Sequence, residues 1–227
     1  MELISPSYDI LTPISYEGQA ELSLIETAAR TCYKSEANND GDYDKTKRFI
    51  KGLIKRHHDA MLEHSFLSVR FVCSRGVSHE LVRHRHFSFA QESTRYCDYE
   101  GGINFVKPYW YDSASFNDKK IFEDSLINVE KEYNYYRDCG RSPQECREIL
   151  PNCTKTEIVV SGNYREWRHA LSLRAANTTG PAHPDMNALM CPLLQELYNT
   201  LPIIFDDIYG IMLDDKQAAK FITSFKC

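Results

Sequence analysis

"SFLSVRFVCSRGVSHELVRHR", residues 65–85, changes its repeat halfway along. From Ser65 to Ser74 apolar and polar residues alternate. Leu67, Val69, Phe71 and Cys73 fall on one side, and Ser68, Arg70 and Ser74 on the other. A period of two is that of a strand with one buried face. Gly76 then permits a turn. Ser78 is placed to cap a short helix, HELVRHR, that ends at Arg85. Ser88 to Arg95 read as a loop.

Working outward, Leu22, Ile25, Ala29 and Cys32 recur at helical spacing in a helix from about Gln19 to Tyr33. The polar run from Ser35 to Asp44 is a loop. A second helix sets Phe49, Ile50, Leu53 and Ile54 against Lys47, Lys51 and Lys55 and ends near His57 and His58. Downstream, residues 103–107 (INFVK) form a strand stopped by Pro108. A long helix over 119–139 carries Phe122, Leu126, Val129, Tyr133 and Tyr136 and closes at Gly140. Ser142 to Glu145 is a capping box with Pro143 at the first helical position. Residues 156–163 (TEIVVSGN) are strand or extended chain, and NYREWRHALSLR is a helix. A last long helix starts at His183-Pro184-Asp185 and is kinked by Pro192. Strands and helices do not alternate regularly, and neither G-x-G-x-x-G nor G-x-x-x-x-G-K occurs. The expected class is therefore α+β, mostly helical, and not a dinucleotide-binding α/β sheet.

At 227 residues, 42% hydrophobic and 26% charged, the chain has the balance of a folded protein. No apolar run reaches the length of a membrane span, and the first residues lack the basic and apolar regions of a signal peptide. The expected place is the cytoplasm. The eight cysteines contain no C-x-x-C pair and read as reduced thiols. A net charge of −5 argues against a general nucleic-acid binder.

Against that acidity, two clusters of arginine stand out. The first is Arg83-His84-Arg85 with Ser88, Ser93, Thr94 and Arg95, interleaved with Phe87 and Phe89. Guanidinium forks bind phosphate oxygens bidentately and keep their charge, and hydroxyls and backbone N–H groups can complete an anion cradle. The phenylalanines are expected to draw the segment inward and bury the arginines. Glu80 and Glu92 are too few to pair with them all. The second cluster is Arg147, then Asn163, Arg165, Arg168, His169 and Arg174; Arg165, Arg168 and His169 share a helix face. Each cluster has a plain alternative, a solvated basic face for the first and snorkelling arginines for the second. Two such clusters in an acidic chain point to a ligand with several phosphates. Histidines gather before the strand (His57, His58, His64) and after it (His79, His84, His86), but in no metal-ligand spacing, so no metal is expected.

The run SHELVRHRHFSFAQESTRY, with Arg83-His84-Arg85 followed by Ser93, resembles the signature of flavin-dependent thymidylate synthases, the ThyX family. Three further blocks agree in order and spacing: ARTCYKS (29–35), HHDAMLEHSFLSVRF (57–71) and REILPNCTKTEIVVSGNYREWRHALSLR (147–174). The resemblance implies a single-domain α+β fold with a small mixed or antiparallel sheet, in a homotetramer that shares its active sites. It implies reductive methylation of dUMP to dTMP, with methylenetetrahydrofolate as carbon donor and NADPH as reductant through FAD. By position, Glu80, Arg83, Gln91, Glu92, Ser93, Thr94, Arg95, Arg147 and Arg174 are implied dUMP contacts. The resemblance also implies that Arg174 is the catalytic arginine at the uracil edge, where a guanidinium stabilises developing negative charge. His58, Ala60, Arg83, His84, Arg85, Gln91, Asn163, Arg165 and His169 are implied FAD contacts, and Tyr33 and His183 pocket positions.

The chain departs from the family at several points. Gln91 stands where glutamate is common, Ala60 where Ser or Thr is frequent, and His169 where asparagine is frequent. At Ala60 any FAD contact must then come from the backbone. The segment after Arg174, AANTTGPAHPD, is longer than expected. Ser93 has no histidine–acid pair to activate it and reads as a ligand contact, not a nucleophile. Competing readings are a flavoprotein of this fold acting on another nucleotide, a single-stranded nucleic-acid binder, and a homologue with an empty pocket.

Overall fold

A computed structural model describes residues 1–35 and 41–223. Part of the expected loop after Ser35, and Cys227, lie outside them. The strand that anchored the sequence reading is β3 (Phe66–Ser74; the other strands are numbered in chain order), and Leu67, Val69, Phe71 and Cys73 on its apolar face are fully buried. At its end Ser74 has extended backbone, φ −71° and ψ 152°, and its Oγ accepts from the Val77 N–H at 3.2 Å. The strand's own last residue thus caps the following helix. This helix, α3 (Arg75–Leu81; helices likewise in chain order), starts before the expected cap and stops before the arginines. Ser78 lies inside it and donates its hydroxyl to the Arg75 carbonyl at 2.9 Å.

Strand order in the four-stranded sheet is β2 (Ser7–Ile10), β3, β6 (Lys155–Asn163), β4 (Ser88–Gln91). β4 corrects the expected loop over 88–95. Its backbone finds partners on β6, which a loop reading of its polar residues does not anticipate. β1 (Glu2–Ile4) pairs in parallel with β5 (Asn104–Val106), Leu3 opposite Phe105.

The chain divides into two compact units. The first comprises Met1–Asp9, Arg70–Arg85 and Phe89–Val160. Its core is Ile103, Phe105, Leu126, Tyr133 and Cys146. Leu126 and Tyr133 come from α4 (Phe116–Asp138), capped by Ser115 and followed by Gly140 at φ 81°. The capping box at Ser142 opens α5 (Pro143–Cys146) as expected.

The second unit comprises Ile10–Val69, His86–Ser88 and Ser161–Cys227. It is helical: α1 (Gln19–Thr31), α2 (Tyr43–Lys55), α6 (Tyr164–Arg174), α7 (Pro184–Thr200), α8 (Pro202–Asp214) and α9 (Ala219–Thr223). Trp167 of α6 is fully buried and donates its indole N–H to the Leu67 carbonyl at 2.9 Å. The Phe87 ring lies 4.6 Å from that of Trp167 and occupies the space a Cβ on Gly162 would need. α7 runs through Pro192, and a separate helix begins at Pro202, where proline's missing N–H costs nothing. Among the described residues no helix is long and apolar enough to cross a membrane. The seven described cysteines are free thiols.

Candidate active site

In the first unit α3 ends early, so Arg83, His84 and Arg85 fall in the turn beyond it. Arg83 and Arg85 are exposed, and His84 between them is buried. The sequence expectation that the arginines would be buried is corrected here: Leu81, His84 and Phe87, three residues apart, take the inward positions, and Arg83 and Arg85 fall on the exposed ones between them. Neither arginine has a carboxylate within ion-pair distance among the described residues. Further along, Arg95 is exposed above the Tyr96 ring, and Thr94 is buried. The Ser93 carbonyl accepts from the N–H groups of Tyr96 (3.1 Å) and Cys97 (2.9 Å), closing a turn that carries Ser93 to Arg95. Arg147 opens a short 3-10 turn, half-buried, 3.5 Å from Glu148.

Gln91 and Glu92 are both held from below. Glu92 accepts from the Tyr99 hydroxyl at 2.7 Å, the Lys155 ammonium at 3.1 Å and the Glu157 N–H at 3.2 Å. Lys155 also reaches Glu157 at 2.7 Å, which holds the Glu157 carboxyl below the usual carboxylate range. Burial and the bond to Glu92 push the Tyr99 phenol up. The Gln91 amide donates to Ser78 Oγ at 2.9 Å and to Thr156 Oγ1 at 3.2 Å. Proton counting explains the departure from glutamate. Ser78 has already given its one proton to the Arg75 carbonyl, so its oxygen can only accept there. An ionised glutamate would face that oxygen with lone pairs, whereas glutamine supplies the donor.

In the second unit a cleft of about 770 Å³ opens along α6. Asn163, Arg165, Arg168 and His169, singled out from the sequence, line it together with His57 and His86. Ile54, Ile208 and Ile211 supply an apolar wall. Asn163 also caps α6, its side-chain oxygen accepting from the Glu166 N–H at 2.9 Å. The two arginines differ. Arg165 pairs with Glu63, and both side chains are largely exposed. Arg168 forms a two-pronged pair with Asp207 (2.8 and 2.7 Å) and also donates to the Ile204 carbonyl. Burial opposes the Asp207 charge, but the bonds from Arg168 prevail and hold its carboxyl below the usual range.

His58 and Ala60 are exposed at the start of a 3-10 helix, Asp59–His64, and the cleft lining includes neither. It includes His57 instead, which takes a left-handed conformation, φ 58°, just past the end of α2. Glycine is usual there. Tyr33 and His183 are exposed, and Arg174 is the last residue of α6. Glu63 and Asp207 were missed from the sequence, and His57 and His86 were noted there only as members of the histidine clusters. A histidine at a helix C-terminus without a following glycine was the one legible signal; the two acids depend on tertiary pairing.

A cleft of this size suits a cofactor. It offers an amide, three imidazoles, one weakly paired guanidinium and an apolar wall, a set that fits a dinucleotide. Among the described residues no group of three or more His, Cys, Asp or Glu is placed for a metal.

The family described as thymidylate synthase complementing protein matches residues 14–203. Flavin-dependent thymidylate synthase of Corynebacterium aurimucosum is 34% identical over 216 residues, covering 88% of this chain and 85% of that protein. The enzyme of the same description from Mycobacterium marinum is 32% identical over 208 residues, covering 85% and 82%. Among solved structures, the UMP/dUMP methylase PolB from Streptomyces cacaoi, bound with 5-Br dUMP, superimposes with a TM-score of 0.71. It covers 96% of this chain and 99% of its own, at 19% identity, so the likeness is one of fold.

Proposed function

This chain belongs to the family of flavin-dependent thymidylate synthases, and we propose from that premise how its residues divide the work on dUMP. The reaction consumes dUMP, methylenetetrahydrofolate, NADPH and a proton, and yields dTMP, tetrahydrofolate and NADP⁺. Bound FAD supplies the redox chemistry.

In the first unit, Arg83 and Arg95, with Ser93 and Thr94, bind the nucleotide phosphate, and Arg147 and Glu80 complete the dUMP contacts. The charge of a guanidinium survives any working pH, and its fork matches phosphate. Gln91 and Glu92 serve this turn by holding it: their side chains bond Ser78, Thr156, Tyr99 and Lys155. Arg83, His84 and Arg85 contact FAD as well. In the second unit, Asn163, Arg165 and His169 contact FAD, with His58 and the Ala60 backbone. Arg174 stabilises negative charge on the uracil ring.

The observation that carries the flavin assignment is the shared lining of one cleft by Asn163, Arg165 and His169. The homotetramer of the family and a cytoplasmic place complete the reading. The test is an anaerobic absorbance titration. The protein should acquire a flavin band with FAD that bleaches on addition of NADPH, at a rate altered by dUMP, and dTMP should form once methylenetetrahydrofolate is added. UMP in place of dUMP measures sugar selectivity. No bound flavin at saturating FAD would remove the reading.

A further inference from the structure

The long segment after Arg174 is closed by a ring of side-chain hydrogen bonds. Asn187, fully buried on α7, donates to the Arg174 carbonyl at 2.7 Å and to Asn177 Oδ1 at 3.2 Å. Asn177 Oδ1 also accepts from the Ala182 N–H at 3.0 Å, and its amide nitrogen donates to Asp215 at 2.9 Å. Gln217 donates to Asn187 Oδ1 at 2.7 Å and to the Ala182 carbonyl at 2.8 Å. The Asp215 carboxylate accepts from the N–H groups of Gln217 (3.0 Å) and Ala218 (2.8 Å), which closes the ring. These bonds hold its carboxyl below the usual range. Asn177 itself sits at φ 54°, a left-handed conformation that asparagine tolerates better than most residues.

The ring answers a specific need. The last carbonyls of a helix have no partner within it, and such ends fray. α6 ends at Arg174, and its terminal carbonyl is satisfied by the buried Asn187 amide. Buried amides of this kind fix one arrangement, because every bond lost leaves another buried group unpaired. Asp215 and Gln217 lie beyond residue 203, where the family match ends.

We propose that Asn187, Asn177, Gln217 and Asp215 are positioning residues for Arg174: the segment after α8 locks the end of α6 and so fixes the base of the catalytic guanidinium. The proposal rests on the reading of Arg174 as the uracil contact. A misplacement of about 1 Å costs a reacting system on the order of a hundredfold, so a frayed α6 end would be felt in catalysis.

The test is a double-mutant cycle on the full chain loaded with FAD, reading kcat and KM for dUMP. Gln217→Ala should lower kcat/KM by about tenfold, with FAD affinity unchanged by absorbance titration. In an Arg174→Ala background it should cause no further loss. Asp215→Ala gives a second probe should Gln217→Ala not fold. Asp215→Asn keeps the accepting oxygen and should keep the activity. Equal losses from Gln217→Ala with and without Arg174 would show a general structural role and overturn the proposal, as would no loss in either. If Arg174→Ala alone leaves kcat/KM unchanged, the reading of Arg174 falls and takes this proposal with it.

Discussion

The two arginine clusters are alike in sequence and opposite in state. The turn after α3 holds Arg83 and Arg85 exposed, with no carboxylate at ion-pair distance among the described residues. On α6 the two arginines that line the cleft are paired, Arg165 with Glu63 and Arg168 with Asp207. An unpaired guanidinium gives its full interaction to an incoming phosphate. A paired one gives only the difference between the ligand and the carboxylate it leaves. Counting arginines therefore overstates the attraction of the second cluster and describes the first fairly.

Removing the unpaired charge should cost most. Arg83→Ala removes a charge-assisted contact of about 1.5–3 kcal/mol, on the order of ten- to a hundredfold in dUMP affinity. The loss should shrink as salt is raised, because the contact is exposed. A dUMP titration of the two proteins at low and high ionic strength reads both effects, and an unchanged affinity would mean that the turn does not hold the phosphate.

The paired side of the comparison shows first in stability. Arg168 is mostly buried, so Arg168→Ala strands Asp207 and leaves the Ile204 carbonyl without its donor. The expected cost is about 1–3 kcal/mol, seen as a lower Tm. The sign of its pH dependence follows from Asp207, whose folded pKa is depressed. Its contribution is present above the unfolded carboxylate pKa and is lost as pH falls through the lower, folded value. The gap in Tm between wild type and Arg168→Ala should therefore narrow on acidification. A gap constant with pH would mean that packing, not the pair, supplies the stability.

How much of this was legible in the sequence depended on whether the deciding interaction was local. β3, the capping box at Ser142 and the α6 face each rest on neighbours within a few residues, and the structure places them as expected. The start of α3 and the strand β4 were missed. Gly76 read as a turn residue and put the cap at Ser78, whereas Ser74 caps the helix and Gly76 lies inside it. β4 is four residues long, with no sustained alternation to mark it, and becomes a strand because β6 is beside it. Among site residues, the arginines, Asn163 and His169 could be chosen by type. Their partners Glu63 and Asp207 are about a hundred and forty residues distant from each other in the chain, and no local pattern relates either to an arginine on α6. The ring from Asn177 to Gln217 was equally hidden, although the unusual length of the segment after Arg174 marked its place.

The smallest effects separate Arg165 from its partner. An exposed pair such as Arg165–Glu63 is worth about 0–1 kcal/mol, and a bound anion must first displace Glu63. Arg165→Ala should therefore weaken FAD binding by only about three- to tenfold, less than Arg83→Ala weakens dUMP binding. Glu63→Gln should act in the opposite sense and tighten FAD by no more than about fivefold, since it removes the competitor and leaves the guanidinium. The double variant should match Arg165→Ala, because without the arginine the carboxylate has nothing to withhold. FAD titrations of the three variants decide the matter. If Glu63→Gln weakens binding instead, Glu63 holds Arg165 in the geometry the cofactor needs, and the pair is a support and not a competitor.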